Sequence, residues 1–206
     1  ATSVAFILLP LVEMLFRLTS DITLLEMSDL NRPLLRRMQL EAPGTYHHSM
    51  VVGSLAEAAA EAVGANSLLA RVSAYYHDIG KLAKPEYYAE NEPASSRSRH
   101  EKLTPSMSAL VLKSHIVEGL EMARRERLPR AVRNSIPEHH GTMVMAFFYH
   151  KALEADPGAR REDYSYPGPK PRSKETAILM LADGVEGASR ALAEPNKRKE
   201  RPQTDG

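Results

Sequence analysis

The sequence predicts an all-α fold, a helical bundle with a metal site in its core. Apolar residues recur at helical spacing through most of the chain, and no run of five residues alternates convincingly as a β-strand. The candidate metal-binding histidines and aspartates fall in five groups, each on or at the end of a different predicted helix. Helical bundles build metal sites in this way, from side chains on facing helices.

The first clear helix is expected to run from about residue 46 to 63, with Thr45 as its N-cap and Gly64 at its end. Asn66 is expected to cap the next helix, which covers about residues 67–79. The residues that are expected to form the apolar face of the first helix include Met50, Val51, Leu55, Ala58, Ala59 and Ala62.

Further helices are predicted at about residues 104–128, 129–139, 142–154 and 174–192. Thr104 suits an N-cap, and Pro105 suits the first helical position, where a missing N–H is harmless. Ser173 opens the last helix. Its expected apolar residues are Ala177, Ile178, Met180 and Leu181.

Long polar segments at residues 83–103 and 155–172 contain two and four prolines and interrupt the helical pattern. Loops of this length inside a compact domain are usually functional or disordered. Because both segments lie between candidate ligand helices, they are candidates for lids or substrate contacts. The charged residues 193–206 have no apolar face and are predicted to be a disordered tail or a truncated C-terminal extension.

The N-terminal segment 4–16 is strongly apolar but contains Pro10 and Glu13. It is shorter than the roughly 20 residues that a membrane-spanning helix needs. It also lacks the basic start and cleavage pattern of a signal peptide. An amphipathic helix packed on the domain and the end of a membrane helix both remain open.

Composition restricts the chemistry. The formal net charge is +1, so no overall positive field indicates a nucleic-acid partner, and neither DNA nor RNA is expected to bind. The chain has no cysteine, which excludes disulfides, thiolate metal sites and cysteine nucleophiles. Any metal ion must therefore bind to histidine and carboxylate groups. Such ligands suit manganese, iron, zinc and similar divalent ions.

The residues that carry this chemistry are His48, His77, Asp78, His115, His139, His140 and Asp183. Seven ligands are too many for one such ion and about right for two. A carboxylate can bridge two ions, and Asp78 is the natural bridge because it lies in the middle of the set. Two metal ions about 3.5–4 Å apart can stabilise both the attacking and the leaving oxygen in phosphoester hydrolysis.

Each part of this pattern also has an ordinary structural explanation. The segment "HDIGK" at residues 77–81 could be a simple helix end, with Asp78 and Lys81 in solvent and Gly80 as a C-cap. A lone histidine on a helix, such as His115, is more often a structural residue than a ligand. The combination of five groups on separate helices is what favours a metal site.

The chain resembles the HD-domain metal-dependent phosphohydrolases, which are named for the adjacent histidine and aspartate seen here as His77 and Asp78. Within them it is similar to the cytoplasmic domain of the bacterial seven-transmembrane HD proteins, which degrade cyclic di-AMP. The resemblance covers about residues 8–192 and rests on the motifs "EAPGTYHHS", "LARVSAYYHDIGKL", "HEKLTPSMSALVLKSH", "EHHGT", "FFYHKALE", "YPGPKP" and "SKETAILMLADGVE".

This resemblance implies an HD-domain helical bundle at residues 32–192. It implies one metal ion, usually iron or manganese, on His48, His77, Asp78 and Asp183, and a second on Asp78, His115, His139 and His140. A hydroxide between the two ions would attack phosphorus and convert cyclic di-AMP to linear pApA.

The resemblance also implies a place in a larger protein. Residues 1–31 would be the end of the last membrane helix and the segment that enters the domain. This soluble fragment would then lie at the cytoplasmic face of the bacterial inner membrane, tethered through a missing membrane region. A homodimer is an open option.

Residues beside the metal ligands have more than one candidate role. Lys81 is a candidate for a catalytic contact with a substrate phosphate, with a surface lysine as the alternative. Adenine could stack on Tyr75, Tyr76, Tyr87 or Tyr88, although packing is expected for at least two of these rings. Phosphate contacts are candidates for Arg97, Arg99 and Lys102, with a solvated loop as the commoner case. His47, His100 and His150 are expected to lie outside the metal site.

Competing functions are an HD phosphodiesterase that acts on cyclic di-GMP, a nucleotide phosphomonoesterase, and a sensor domain that binds a cyclic dinucleotide without hydrolysis. The cyclic di-GMP group would follow its paired histidines with an acidic residue and a Gly-Tyr-Pro motif. Here "EHHGTMVMAF" stands at that point, and "YPGPKP" lies well downstream.

Overall fold

The computed structural model describes residues 19–92 and 97–193. The α-helices in these ranges are α1 (Asp21–Met27), α2 (Pro33–Glu41), α3 (Pro43–Ala62), α4 (Ser67–Tyr76), α5 (Pro105–Arg125), α6 (Arg130–Glu138), α7 (Ala146–Ala155) and α8 (Lys174–Ala193). Short 3-10 helices lie at Ile79–Ala83, Pro85–Tyr87, Ala89–Asn91, Arg99–Lys102 and Arg161–Tyr164. The described part of the chain has one isolated β-bridge, Val144 to Ser165, and no strand. The all-α prediction is confirmed.

Side-chain caps begin half of the described α-helices, including two that the sequence predicts. The side chain of Asn66 accepts from Leu69 N at 2.8 Å, and that of Thr104 accepts from Met107 N at 3.2 Å. The predicted cap at Thr45 is wrong, because α3 begins earlier, at Pro43. Thr45 is buried inside the helix, where its hydroxyl donates to Glu90 Oε1 at 3.1 Å.

The predicted apolar face of α3 is also wrong. The buried residues of this helix are Thr45, His48, Ser49, Val52, Gly53, Ala56 and Ala60. Small side chains occupy this face because α4 packs closely on it: a Cβ added at Gly53 would lie 2.7 Å from the Tyr75 ring. Alanines line both sides of the helix, so the sequence alone did not fix which side faces inward. In α8 the predicted Leu181 is 71% exposed, and Leu179 is buried instead.

Two hydrophobic clusters position the helices that carry the candidate metal residues. One cluster joins α3, α4 and α8 and consists of Val52, Ala56, Ala60, Ala70, Ala74, Leu179 and Ala182. A larger cluster joins α1, α2, α4 and α6 and includes Leu35, Met38, Val72, Tyr76, Ile79, Val132 and Ile136. These two clusters hold α4 between α3 and α6, so that the end of α4 lies among the other ligand helices.

The segment after α4 touches α5 almost backbone to backbone. A Cβ added at Gly80 would lie 1.8 Å from the carbonyl oxygen of His115 and 2.5 Å from Gly119 N. Gly80 therefore serves a close approach between elements, and the alternative of a simple C-cap is wrong. Any larger residue would push Asp78 away from α5.

The two long loops contain no α-helix where they are described, as predicted, but they do contain short 3-10 helices. Within the described ranges no helix is long and apolar enough to cross a membrane. The apolar segment 4–16 and most of the predicted tail at 193–206 lie outside the described residues.

Candidate metal centre

The histidine and aspartate of "HDIGK" lie where α4 ends. His77 closes the helix with helical backbone angles, and Asp78 then adopts φ −109° and ψ 13°, outside the helix. Along a continuing helix, adjacent side chains would diverge by about 100°. The break allows both side chains to face the same point. Both are buried, at 0% and 1% exposure.

The structure brings all seven predicted ligands together. His48 comes from the middle of α3, His115 from the middle of α5, and Asp183 from α8. His139 caps the end of α6, and His140 follows it outside the helix. Donor atoms lie within 4.8 Å of one another in three overlapping groups, which are Asp78–His115–His139–His140, His48–His77–Asp78 and His77–His139–Asp183.

The two carboxylate oxygens of Asp78 face different partners. Oδ2 lies 3.2 Å from His77 Nε2 and 3.7 Å from His48 Nε2. Oδ1 lies 3.5 Å from His115 Nε2 and 3.6 Å from His139 Nε2. Asp78 thus stands between two sets of imidazoles, as a bridging ligand would.

Asp183 and His140 complete these two sets. Asp183 Oδ1 lies 3.0 Å from His48 Nε2 and 3.9 Å from His77 Nε2. Asp183 Oδ2 lies 3.7 Å from His140 Nδ1, so the two sets are in contact. We call His48, His77, Asp78 and Asp183, which the family resemblance assigns to one ion, the first metal set. The second metal set is Asp78, His115, His139 and His140.

Hydrogen bonds on the far side of the rings orient the donor nitrogens. His77 Nδ1 is 2.6 Å from Ala74 O, His115 Nδ1 is 2.5 Å from Leu112 O, and His139 Nδ1 is 2.7 Å from Ile136 O. In each pair the Nδ1–H donates to the carbonyl three residues earlier. This leaves Nε2, on the side of Asp78, as the nitrogen that can bind a metal ion, the arrangement that metal-binding histidines usually show.

The donor set fits divalent metal ions. His77 Nε2, Asp78 Oδ1 and His140 Nδ1 are buried and have no hydrogen-bond partner among the described residues. Buried polar atoms without a partner are costly, and a metal ion would satisfy them. Ligand atoms about 2.1 Å from one ion lie about 3.0–3.4 Å from each other at the usual bond angles. The observed spacings of 3.0–3.9 Å are close to that range.

Burial and charge in the centre favour the metal-binding protonation states of most groups. Burial would raise the pKa of Asp78, but His77 and Lys81 hold it well below its usual value. Burial lowers the pKa of His115 to about 3 and that of His140 well below its normal value. For His77 burial acts downward, yet Asp78 raises the pKa to about 9. A metal ion must therefore compete with a proton at His77.

Lys81 is joined to the centre by ion pairs. Its Nζ lies 2.7 Å from Asp78 Oδ2 and 2.7 Å from Glu90 Oε1. The 3-10 turn that follows Asp78 produces this contact, so the residue is not the free surface lysine of the alternative. Burial lowers the pKa of Lys81, but the two carboxylates raise it well above its usual value, and the ammonium stays charged.

The expectation that at least two of the four tyrosines are packing residues is confirmed. Tyr76 is fully buried and donates to Met27 O at 2.9 Å, and Tyr88 is 4% exposed, so both belong to the packing. Tyr75 packs on the larger core cluster. Two tyrosines contact the centre: the Tyr88 ring lies 5.0 Å from Lys81 Nζ and edge-on to His115, and the Tyr166 ring stacks on His140 with 4.1 Å between centroids.

The remaining polar candidates belong to none of the three donor groups. His47 and His150 are exposed. His100 Nε2 is 2.9 Å from Tyr87 O, and its ring packs against Phe148. Arg97, Arg99 and Lys102 are exposed.

Sequence reasoning missed three residues that contact the centre. Glu90 binds Lys81, Tyr166 covers His140, and Glu186 Oε2 lies 2.6 Å from His48 Nδ1. Of these three residues, only Glu186 could have been found from the sequence, because it lies one helical turn after Asp183 on the same predicted helix. Glu90 and Tyr166 come from the long loops, whose course no periodicity predicts.

Known proteins share this sequence pattern. Residues 45–188 match the family described as HD domain. The chain is 47% identical over 200 residues to the cyclic-di-AMP phosphodiesterase PgpH of Bacillus subtilis, an alignment that covers 97% of this chain. It is 44% identical over 199 residues to the protein of the same name from Listeria monocytogenes, covering 95% of this chain. The chain spans 28% of the length of each of these relatives.

A solved structure agrees with the sequence match. The HD domain of the L. monocytogenes phosphodiesterase PgpH, crystallised with cyclic di-AMP, is 44% identical and superimposes with a TM-score of 0.76. The match covers 80% of this chain and 76% of that one. The expected resemblance is confirmed: this chain belongs to the HD domain family.

Proposed function

We propose that this chain is the hydrolase domain of a metal-dependent phosphodiesterase that converts cyclic di-AMP to pApA. The observation that carries the proposal is the position of Asp78, whose two oxygens face separate groups of imidazoles. The names of the similar PgpH proteins support cyclic di-AMP as the substrate, as does the cyclic di-AMP complex of one of them.

The proposed centre holds two divalent ions, iron or manganese. The first metal set and the second metal set would each bind one ion and share Asp78. The bound ions would supply a hydroxide between them for attack on phosphorus and would stabilise the charge that develops on the phosphate oxygens.

The chain's own residues would orient the substrate. Asp78 and Lys81 are the proposed catalytic residues. An ammonium has three donors, and two of those on Lys81 meet Asp78 and Glu90. The third is available to a phosphate oxygen. The Tyr166 ring, stacked on His140, would limit the space beside the second metal set.

The proposed setting is a larger membrane protein. We expect residues 1–31 to hold the end of a membrane helix and the segment that enters the domain, so that this domain is tethered to the cytoplasmic face of the inner membrane. The chain's alignment to 28% of each PgpH relative is consistent with such an arrangement. A homodimer stays a proposal, and so does the absence of a DNA or RNA partner.

The deciding experiment is turnover of cyclic di-AMP and, in parallel, of cyclic di-GMP by the purified chain with Mn²⁺. We expect pApA as the product, a preference for cyclic di-AMP, and no turnover by Asp78→Ala. His150→Ala, which changes an exposed histidine, serves as the control and should retain activity. Binding of cyclic di-AMP without product would favour the sensor function, and faster cleavage of cyclic di-GMP would overturn the substrate assignment.

A further inference from the structure

The imidazole of His48 is held differently from the other Nε2-directed rings of the centre. Its Nδ1 lies 2.6 Å from a carboxylate oxygen, Glu186 Oε2. His77, His115 and His139 bond main-chain carbonyls at the same position. Among these four rings, only His48 has a charged partner behind it.

Glu186 reaches His48 because of its spacing on α8. It lies one turn after Asp183, so the two carboxylates contact opposite edges of the same ring. Asp183 Oδ1 lies 3.0 Å from Nε2, on the side of the metal set, whereas Glu186 meets Nδ1. Glu186 is therefore placed behind the ligand and outside the donor groups.

Glu186 is fixed in this position. Its side chain is 12% exposed, and Arg190 Nη2, one turn further along α8, lies 3.5 Å from the same oxygen. The guanidinium favours the ionised carboxylate. As a result, Glu186 can accept the Nδ1–H of His48 without leaving its own charge unpaired.

A carboxylate behind a ligating imidazole has a definite effect. It fixes the tautomer with the lone pair on Nε2, and it makes that nitrogen a stronger donor to a metal than a neutral carbonyl does. Loss of such a partner typically weakens metal binding by about 10–100-fold. In this chain the effect would act on His48, which belongs to the first metal set.

The two metal sets also differ in charge. The first has two carboxylates, Asp78 and Asp183, with Glu186 behind its histidine. The second has Asp78 alone with three imidazoles. We propose that Glu186 is a positioning residue that, through His48, makes the first metal set the tighter of two unequal divalent-cation sites and the first to fill. This inference rests on the two-metal centre of the proposed function.

The test is calorimetric titration of the chelator-treated chain with Mn²⁺. We expect two binding steps of different affinity. Glu186→Gln keeps an acceptor oxygen but removes the charge, and Glu186→Ala removes both. The tighter step should weaken by about 10-fold or more in the glutamine variant and by up to about 100-fold in the alanine variant. The weaker step should change by less than about 3-fold and so report that the fold is intact.

Glu57→Gln is the matched control. Glu57 also pairs with an arginine, Arg71, at 2.7 Å, and it lies on α3 nine residues after His48, about 14 Å along the helix. Its loss should alter neither step. Equal weakening of both steps, or unchanged binding in both Glu186 variants, would overturn the role of Glu186 while leaving the two-metal centre intact. Failure of the unaltered chain to bind two ions would overturn both proposals.

Discussion

Gly80 is the residue that allows Asp78 to reach both metal sets. A Cβ at this position would lie 1.8 Å from the carbonyl oxygen of His115, which belongs to a helix backbone and cannot move aside cheaply. Without a side chain at Gly80, Asp78 Oδ1 comes within 3.5 Å of His115 Nε2. The glycine of "HDIGK" is therefore a spacing requirement of the centre and not a flexible joint.

Lys81→Met tests the proposed contact between the Lys81 ammonium and a substrate phosphate. Methionine keeps the length of the side chain and removes the ammonium. We expect kcat/KM for cyclic di-AMP to fall by about 10²-fold or more, because a preorganised donor to developing charge is lost. Mn²⁺ binding should persist, since Lys81 is not in either metal set. Lys151→Met, at an exposed position on α7, is the control. Equal kcat/KM in both variants would contradict a catalytic role for Lys81.

Helix ends supply most of the donors. His77 and His139 both close a helix, and Asp78 and His140 directly follow them. Because the helical rotation stops there, neighbouring side chains can face one centre.

Glu138 connects two helices. It is 3% exposed, and its Oε2 accepts hydrogen bonds from Thr176 Oγ1 at 2.8 Å and from Arg172 N at 3.0 Å. It joins the end of α6 to the start of α8.

Glu138→Ala should destabilise the fold by about 1–3 kcal/mol, because it removes the acceptor of the Arg172 N–H and the nearest acceptor of the buried Thr176 hydroxyl. Urea unfolding of the metal-free chain measures the effect. Thr176→Val removes the hydroxyl that donates to Glu138. The double variant should lose less free energy of unfolding than the sum of the two single variants. Strict additivity would show that the two helices are not coupled through this bond. Glu162→Ala, at an exposed site, should be nearly neutral.

For the whole molecule, the buried centre links metal binding to stability. Five separate elements place charged or polar groups at one point, and three donor atoms of these groups, His77 Nε2, Asp78 Oδ1 and His140 Nδ1, have no hydrogen-bond partner in the described protein. Metal ions bind such a preformed centre better than they bind the unfolded chain, so the folded state gains stability by mass action.

Chelation should therefore lower the melting temperature. At a free Mn²⁺ concentration about 100 times Kd, one site stabilises the fold by about 2.7 kcal/mol relative to the metal-free chain. Thermal unfolding with and without EDTA measures this difference. The shift should shrink in His139→Ala and persist in His150→Ala, an exposed position. A melting temperature that is the same with and without metal would argue against binding in the core.

Particular elements show how far sequence reasoning reached. Asn66 and Thr104 cap their helices as predicted, because a cap depends on atoms two or three residues away. The core face of α3 was predicted wrongly, because alanine and glycine on several sides leave the hydrophobic phase undefined. Thr45 was mistaken for a cap, since its real partner, Glu90, lies 45 residues away.

The sequence by itself determined the helical class of this protein, the seven candidate ligands and the family resemblance, because residue type and local spacing carry that information. Only the tertiary structure decided which atoms meet. It directed each oxygen of Asp78 to a different set of imidazoles, brought Glu90 to Lys81, and placed Glu186 behind His48. These contacts join segments up to 138 residues apart, so they depend on how the helices pack and not on the pattern within any one of them.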